Sequence, residues 1–283
     1  MTLEQRFFLA RYYLTNLIYS KIGGRLNLWG LTKFEVPWEN LRRSVAGQEK
    51  WLVVGNGPSL RLDDLEALSM IPAIASNKIN LLFGKTNWRP TLYTVTDPLL
   101  LFKFPAEHFR DFPLTLTTHA VGNMARTKKR LMWKLLWNDK GEELYVKGSS
   151  ELSPMNGIIE GATVTCPNIQ LAIWAGAKTI YLIGCDHFYS KEEHGAGVKK
   201  TSFQGVSNHF DPNYRKPGEI VNSAPVKEMN EGYELVRRVA DKRGVRVVNI
   251  SRNTALDIFE RGTVEDALAE IAKGRAFDAA EAL

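Results

Sequence analysis

Cysteine is nearly absent from this chain of 283 residues, in which only Cys166 and Cys185 occur. Two cysteines cannot form a disulfide framework, and their spacing matches no metal-binding pair. We therefore expect two small buried thiols and a reducing, cytoplasmic location. The first twenty residues predict no signal peptide, because Arg6 and Arg11 interrupt the apolar run and no small-residue cleavage site closes it.

Several functional motifs are also missing. The apolar N-terminal run is too short and too charged to cross a bilayer. No HExxH or comparable spacing predicts a metal site, and no Asp-x-Asp pair follows a predicted strand. GxGxxG is absent, and no GK[ST] follows the glycine-rich segment at residues 55–59. Since these motifs are missing, we expect no tightly bound cofactor or metal. The sequence also has no RNA- or DNA-binding signature, so we expect no nucleic-acid partner.

Positive charge is in excess. The 37 Lys and Arg against 31 Asp and Glu leave a net charge of +6, which favours anionic partners such as nucleotide phosphates or anionic lipid. Residues 1–50 predict a helical appendage that either packs on the main domain or lies on an anionic membrane surface. Residues 123–150 alternate basic and apolar side chains and predict a basic lid, either simply solvated or facing a membrane or acceptor.

Strand-like and helix-like segments alternate along residues 51–261. Short apolar runs rich in β-branched residues predict strands buried on both faces, and the amphipathic runs between them predict helices. This alternation predicts an α/β fold, a Rossmann-like and mostly parallel sheet with helices on both faces. Residues 190–225 predict a long loop insertion, and residues 262–283 predict a C-terminal helix that fades into a tail.

Ligands of such sheets bind beyond the carboxyl ends of the strands. The segment GNGPS at residues 55–59 follows the first central strand, and its glycines allow a phosphate or sugar to approach the backbone closely. A plain tight turn is the alternative there, and Asp97 before Pro98 also suits a turn. The candidate binding residues at the strand ends are Gly55, Asn56, Gly57, Pro58, Ser59, Asn77, Asp97, Gly184 and Asp186.

His209 lies in the long loop, two residues before Asp211. An imidazole titrates in the neutral range, so His209 is a candidate general base. A surface histidine without a chemical role is the alternative.

Three segments resemble the bacterial sialyltransferase-like superfamily, which includes the motility accessory factors: LVVGNGPSL (52–60), Ser76-Asn77 and IYLIGCD (180–186). Within it, the chain is similar to the 6-hydroxymethylpterin diphosphokinase-like domain family. Residues 77–81 and 88–93 resemble those of members found among surface-polysaccharide genes. The resemblance covers roughly residues 50–261.

This resemblance implies a Rossmann-like fold and, for the transferases, a CMP-activated acidic sugar as donor. It also implies contacts for individual residues. His209 takes the place of the family's catalytic histidine. The resemblance implies that Asn56, Gly57 and Ser59 contact the phosphate and ribose. It implies that Asn77 contacts the nucleotide or donor sugar, and that Gly184 and Asp186 line the cytidine end.

The family's transferases bind the leaving phosphate with tyrosines that follow the Gly-x-Asp segment. Tyr189 corresponds to one of these tyrosines, with an extra residue before it. His194 or Tyr214 would serve in place of the second tyrosine. We also expect Lys78 or Arg89 to stabilise the departing phosphate.

The sequence thus predicts a metal-independent glycosyltransferase of surface-polysaccharide or glycoconjugate assembly, with His209 and Tyr189 as catalytic residues. Its partners would be a nucleotide-sugar donor, a glycan or lipid-linked acceptor and the inner membrane surface. One alternative is an ATP- and Mg²⁺-dependent diphosphokinase acting on a pterin-like alcohol, with Asp97 and Asp186 near the phosphates. The other alternative is a non-catalytic nucleotide-binding protein.

Overall fold

The computed structural model describes residues 35–117, 130–189, 197–200 and 208–281, together with residues 3, 6, 7 and 10 of the N-terminal segment. Its helices and strands alternate along most of the chain. In chain order they are α1 (Glu35–Ser44), β1 (Lys50–Val54), α2 (Leu62–Ala67), β2 (Ala73–Ser76), β3 (Leu92–Thr94), α3 (Pro98–Lys103), β4 (Thr115–Thr117), β5 (Arg130–Met132), β6 (Leu135–Leu136), α4 (Asn138–Gly141), β7 (Ile158–Ile159), α5 (Thr165–Trp174), β8 (Thr179–Ile183), β9 (Val198–Lys200), β10 (Ile220–Asn222), α6 (Val226–Asp241), β11 (Arg246–Asn249), β12 (Glu260–Arg261) and α7 (Val264–Glu281).

One sheet of eight strands, in the order β12-β11-β8-β1-β2-β3-β4-β5, organises the molecule. Each neighbouring pair in it is parallel. Consecutive parallel strands need a crossover connection, and the intervening helices supply several of these. The predicted α/β fold, with a Rossmann-like parallel sheet, is confirmed.

Alternate residues of the central strands point into two cores, one on each face of the sheet. Trp51 and Val53 of β1 join a cluster with α5 and α6, whereas Leu52 and Val54 join a cluster that includes residues of α2, α3 and α7. Every residue of α5 is buried. A strand buried on both faces reads as a continuous apolar run, which is why β1 and β8 were recognisable in the sequence.

The described end of the N-terminal appendage packs on the main domain. Trp38 of α1 is buried, and its ring meets the Trp174 ring edge to face, with centroids 5.3 Å apart. Of the earlier residues, Leu3 and Phe7 lie in helical conformation and are exposed. Within the described ranges, no helix combines the length and the hydropathy needed to cross a membrane.

The predicted basic lid is corrected for residues 130–150. Arg130–Met132 form an edge strand of the main sheet, and Leu131, Trp133 and Tyr145 are buried in the core. Leu131, Trp133 and Leu136 therefore pack inward as strand and core positions, whereas Trp137 is 56% exposed. Residues 123–129 lie outside the described residues, as do 190–196 and 201–207 of the predicted loop insertion. In the rest of that insertion, β9 and β10 pair as an antiparallel hairpin.

Two glycines bring α6 against the segment that leads into α5. A Cβ built on Gly232 would lie 2.4 Å from the carbonyl oxygen of Gly161, a backbone atom that cannot move aside. Gly274 of α7 differs, because its Cβ would meet only the flexible end of Lys50, at 2.6 Å.

We predict that Gly232→Ala destabilises the fold by about 2 kcal/mol through overpacking. This is the opposite of the usual effect, because alanine generally stabilises a helix relative to glycine. The matched variant Gly274→Ala should be neutral or stabilising, by up to about 1 kcal/mol. Urea denaturation of both variants measures the difference. Equal midpoints for the two variants would contradict the close approach of α6 to Gly161.

Candidate functional site

A cleft of about 120 Å³ lies at the carboxyl edge of the sheet, where the loops after β1, β2 and β8 converge. Residues from the segment before α5 and from the 208–214 loop complete its walls. The structure brings most of the predicted site residues to its lining: Gly55, Asn56, Gly57, Asn77, Gly184, Asp186, Tyr189 and His209. Pro58, Ser59 and Asp97 are not on that lining.

A larger, shallower hollow of about 430 Å³ includes Lys178 and Val245, at the amino edge of the sheet. Its cations are largely engaged within the protein, since Lys242 and Arg243 donate to backbone carbonyls. We therefore place the candidate site in the smaller cleft, where polar and titratable side chains converge.

Asn56 and Asn77 line the cleft, and their amide oxygens are buried. The Asn56 Nδ2 donates to the Ser76 carbonyl oxygen at 3.2 Å, which orients the amide. Asn77 has left-handed backbone, with φ of 57°, a conformation that asparagine tolerates better than most residues. The Oδ1 atoms of both residues are buried and accept no hydrogen bond from the described residues. Such oxygens suit ligand hydroxyl or amine groups, because leaving them unpaired costs stability.

Gly55 and Gly57 allow the loop after β1 to cross the loop after β8 at close range. A Cβ on Gly55 would lie 2.3 Å from the Gly184 carbonyl oxygen, and one on Gly57 would lie 1.9 Å from Oδ2 of Asp186. The amides are engaged as well, since Gly55 N–H donates to the Ile183 carbonyl and Gly57 N–H to the Gly184 carbonyl, both at 2.8 Å. These glycines therefore serve the crossing, and their amides are not available to the predicted phosphate.

Asp186 joins the two crossing loops. Its carboxylate accepts from the Ser59 amide at 3.0 Å and from the Ser59 hydroxyl at 2.8 Å. Burial raises the pKa of Asp186, against the lowering effect of these hydrogen bonds. Ser59 is thus occupied by a protein carboxylate. A binding role for either residue stays a prediction.

Residues 58–59 form a turn, and α2 begins only at Leu62. The first turn of α2 carries Asp63 and Asp64. Acidic side chains at that position oppose a phosphate, so the start of α2 does not favour an anion there.

A different helix terminus faces the cleft. Thr163, Val164 and Thr165, at the start of α5, line it, and the buried α5 directs the positive end of its dipole there. The sequence predicts no site role for the start of this helix. The signal available in the sequence is Gly161, which adopts a left-handed φ of 60° directly before Ala162 at 56°.

His209 is fixed by a stacked ring and a backbone acceptor. Its imidazole stacks on Tyr214 with centroids 3.7 Å apart, and Nδ1 lies 3.3 Å from the Asn56 carbonyl oxygen. A carbonyl only accepts, so Nδ1 carries the proton and Nε2 is the basic nitrogen of the neutral ring. Burial lowers the pKa of His209 to about 3, and the charges of Arg215 and Lys78 act in the same direction.

Tyr189, Tyr214 and Tyr233 all line the cleft. Tyr189 lines it beside His187, whose ring centroid is 5.7 Å away. Tyr214 is buried against His209, and burial raises its pKa to about 12, so it carries its proton at neutral pH. Of the two candidates for a second tyrosine-like group, Tyr214 is thus at the site, and His194 lies outside the described residues.

The predicted cations have other partners. Lys78 donates to the Tyr214 carbonyl and to Glu219, so it holds the histidine-bearing loop. Arg89 donates to carbonyls of its own turn and lies 4.0 Å from the Phe83 ring centroid, away from the cleft. Arg89 is not on the lining of the cleft, and its role stays a prediction.

Asp97 caps a helix. Its Oδ1 accepts from the Leu99 amide that begins α3 and from Nδ2 of Asn222, both at 2.8 Å. Burial raises the pKa of Asp97. Its donor-binding role stays a prediction. Among the residues that the structure describes, no three His, Cys, Asp or Glu side chains are grouped so that they could hold a metal ion.

Comparison with known proteins adds little to this geometry. Neither a family model nor a curated protein matches the sequence. A solved structure, that of a MAf glycosyltransferase from Magnetospirillum magneticum AMB-1, is similar to 81% of this chain at 16% identity, with a TM-score of 0.44. The chain spans 37% of that protein's length. With a TM-score this low the similarity supports no argument, and the α/β fold is established by the sheet itself.

Proposed function

We propose that this protein is a metal-independent glycosyltransferase that uses a CMP-activated acidic sugar, with His209 as its general base. One observation carries the proposal: the imidazole of His209, with Nδ1 against the Asn56 carbonyl oxygen and its ring stacked on Tyr214, lines a cleft at the carboxyl edge of a parallel sheet. This edge is where open α/β sheets bind ligands. The proposal is also supported by the sequence resemblance to sialyltransferase-like proteins.

In the proposed reaction, Nε2 of His209 accepts the proton of an acceptor hydroxyl. The hydroxyl oxygen attacks the anomeric carbon of the sugar as the bond from that carbon to the CMP phosphate oxygen breaks. CMP leaves with the bonding electrons. The hydroxyls of Tyr189 and Tyr214 and the start of α5 would stabilise the negative charge on the departing phosphate.

The donor would occupy the cleft between the two asparagines and Asp186. Oδ1 of Asn56 and of Asn77 would accept from hydroxyls of the ribose or the sugar, which satisfies both buried oxygens. Asp186, at the end of β8, would face the cytidine.

The acceptor would be a glycan or a lipid-linked saccharide at the cytoplasmic surface of the inner membrane. The net charge of +6 favours an anionic surface. Phe188, 47% exposed at the cleft, offers an apolar ring to a sugar face.

Nucleotide choice is tested by thermal shift with CMP, CTP and ATP, each with and without Mg²⁺. We expect CMP to raise Tm in the absence of metal, because a ligand that binds only the folded state stabilises it. Stabilisation by ATP alone, and only with Mg²⁺, would favour the diphosphokinase and contradict the proposal.

His209→Gln should lower the rate of CMP release from CMP-N-acetylneuraminate about 10²–10⁴-fold, because general base help is lost. The affinity for CMP, measured by calorimetry, should change little. His108→Gln is the matched control, since His108 is also buried but bonds Tyr93 outside the cleft. A rate in His209→Gln equal to wild type would remove this residue from the mechanism.

The protonation state of His209 has its own test. Its pKa is about 3 in the folded protein against 6.5 when unperturbed. Between these two pH values the imidazole is protonated in the unfolded state but not in the folded state. The free energy of unfolding therefore has its full value above pH 6.5 and decreases as the pH falls towards 3. Between pH 7 and pH 5 this loss is about 2 kcal/mol per such histidine.

We therefore predict that His209→Gln shrinks the difference in unfolding free energy between pH 7 and pH 5 by about 2 kcal/mol. Urea denaturation at both pH values measures it. His108, whose pKa burial lowers to about 4, serves as a positive control through His108→Gln. If His209→Gln loses as much stability as wild type, the folded imidazole is not held neutral.

A further inference from the structure

Tyr233 of α6 lies beside the start of α5, and the sequence predicts no site role for it. Its neighbour Gly232 packs directly on Gly161, since a Cβ on Gly232 would meet the Gly161 carbonyl oxygen at 2.4 Å. Two other rings meet the Tyr233 ring edge to face, with centroids 5.4 Å away for His187 and 5.9 Å away for Phe259. The close helix contact and the two ring contacts fix the position of Tyr233.

The Tyr233 hydroxyl lies at the candidate cleft. Tyr233 is only 3% exposed, and it lines the cleft. Burial raises its pKa well above the ordinary value, and Cys185 and Tyr189, which also line the cleft, act in the same direction. The hydrogen-bonding side chain of Thr165 opposes this shift. Tyr233 therefore keeps its proton at neutral pH, and its O–H donates to no atom of the described residues.

The start of α5 is also open to an acceptor. The helix has ten buried residues, and its N-cap, Val164, makes no side-chain cap hydrogen bond. Val164 lines the cleft, and its amide donates to no group in the described part of the chain. The first turn of α5 carries no acidic residue, in contrast to the first turn of α2. The positive end of this helix dipole is therefore not neutralised by a protein carboxylate.

The charges around the cleft decide how an anion would be held there. Among the residues that the structure describes, no lysine or arginine lines the cleft. The acidic side chain on that lining, Asp186, already accepts from the amide and hydroxyl of Ser59. A ligand at this end meets a hydroxyl, an amide and a helix dipole, which is the combination that binds phosphate at helix starts.

We propose that Tyr233 and the start of α5 form a phosphate subsite of the cleft, in which neutral donors alone bind the phosphoryl oxygens. Under the proposed function, on which the identity of the nucleotide rests, this group is the phosphate of the CMP donor. Tyr233 donates a hydrogen bond to one of its oxygens as the bond to the anomeric carbon breaks. It keeps its proton throughout, so the departing CMP takes only the bonding electrons.

The first test compares wild type with Tyr233→Phe by calorimetry, using CMP and cytidine. Phenylalanine keeps the ring and its two ring contacts and removes only the hydroxyl. We expect the affinity for CMP to fall about tenfold, the scale of a hydrogen bond to a charged group, and the affinity for cytidine to stay the same. Equal losses for CMP and cytidine, or wild-type affinity for CMP, would overturn the inference.

Tyr181→Phe is the matched control for the lost hydroxyl. Tyr181 is also buried, but it belongs to the core cluster on the other face of the sheet and does not line the cleft. Its affinity for CMP should equal that of wild type. A loss as large as that of Tyr233→Phe would show that the effect is not specific to the subsite.

A second test places a negative charge at the start of α5. Thr163 Oγ1 accepts from the Thr165 amide at 3.4 Å. Thr163→Asp and Thr163→Asn both keep a side-chain acceptor there, and only the first adds charge. We expect Thr163→Asp to bind CMP at least about tenfold more weakly than Thr163→Asn. Its Tm should be equal or higher, because a carboxylate at a helix start stabilises the helix. Equal CMP affinities of the two variants would contradict a phosphate at this helix.

Inorganic phosphate and N-acetylneuraminate separate this inference from the proposed function. If wild type binds inorganic phosphate but not CMP, and Tyr233→Phe loses the phosphate response, the function fails and the subsite stands. If CMP release from CMP-N-acetylneuraminate depends on His209, but Tyr233→Phe binds CMP as wild type does, the subsite fails and the function stands. If Tyr233→Phe loses only the binding of N-acetylneuraminate, the ligand is a carboxylate and the phosphate assignment is wrong.

Discussion

The crossing of two loops above the middle of the sheet is the contact on which the site depends. β1 and β8 are neighbours there, and the backbone after β1 passes so close to Gly184 and Asp186 that side chains at Gly55 and Gly57 are excluded. Hydrogen bonds between the two loops, including both from Ser59 to Asp186, hold the crossing. It sets where the Asn56 side chain and backbone carbonyl point.

Asn56 connects this crossing to the loop that contains His209. Its side chain bonds Ser76 after β2, and its carbonyl oxygen accepts from the Phe210 amide at 3.1 Å and from the ring of His209. Lys78, just after β2, also donates to the Tyr214 carbonyl. A loop that is distant in sequence is thereby fixed at the edge of the sheet by two short segments, which gives His209 one tautomer and one position.

Unfavourable local features concentrate around the same cleft. Among the described residues, the non-glycine positions with positive φ are Asn77, Ala162 and His187, each costing about 1–3 kcal/mol. Two of them line the cleft and the third precedes its Thr163 wall. Together with the two amide oxygens that accept no hydrogen bond from the described residues, they mark an edge where stability is given up for a fixed arrangement of polar groups.

Several elements could be predicted because their causes are local. The pattern of apolar residues within a single segment predicts how that segment is buried. This holds for the continuous apolar runs of β1 and β8 and for the periodic apolar spacing of α6. The site residues at strand ends followed from the rule that parallel strands present their carboxyl ends at one edge. The lid was wrong over residues 130–150, since alternating basic and apolar residues do not distinguish an exposed helix from an edge strand backed by a core.

The sequence by itself determined the parallel α/β sheet and the edge at which its ligands would bind, because hydrophobic periodicity and chain direction are properties of single segments. Only the tertiary structure decided what the groups at that edge do. It assigned the glycines to a backbone crossing, set Asp186 against Ser59, and buried His209 so that its pKa falls to about 3. Those properties depend on desolvation and on partners up to 153 positions apart in the chain, which no local pattern encodes.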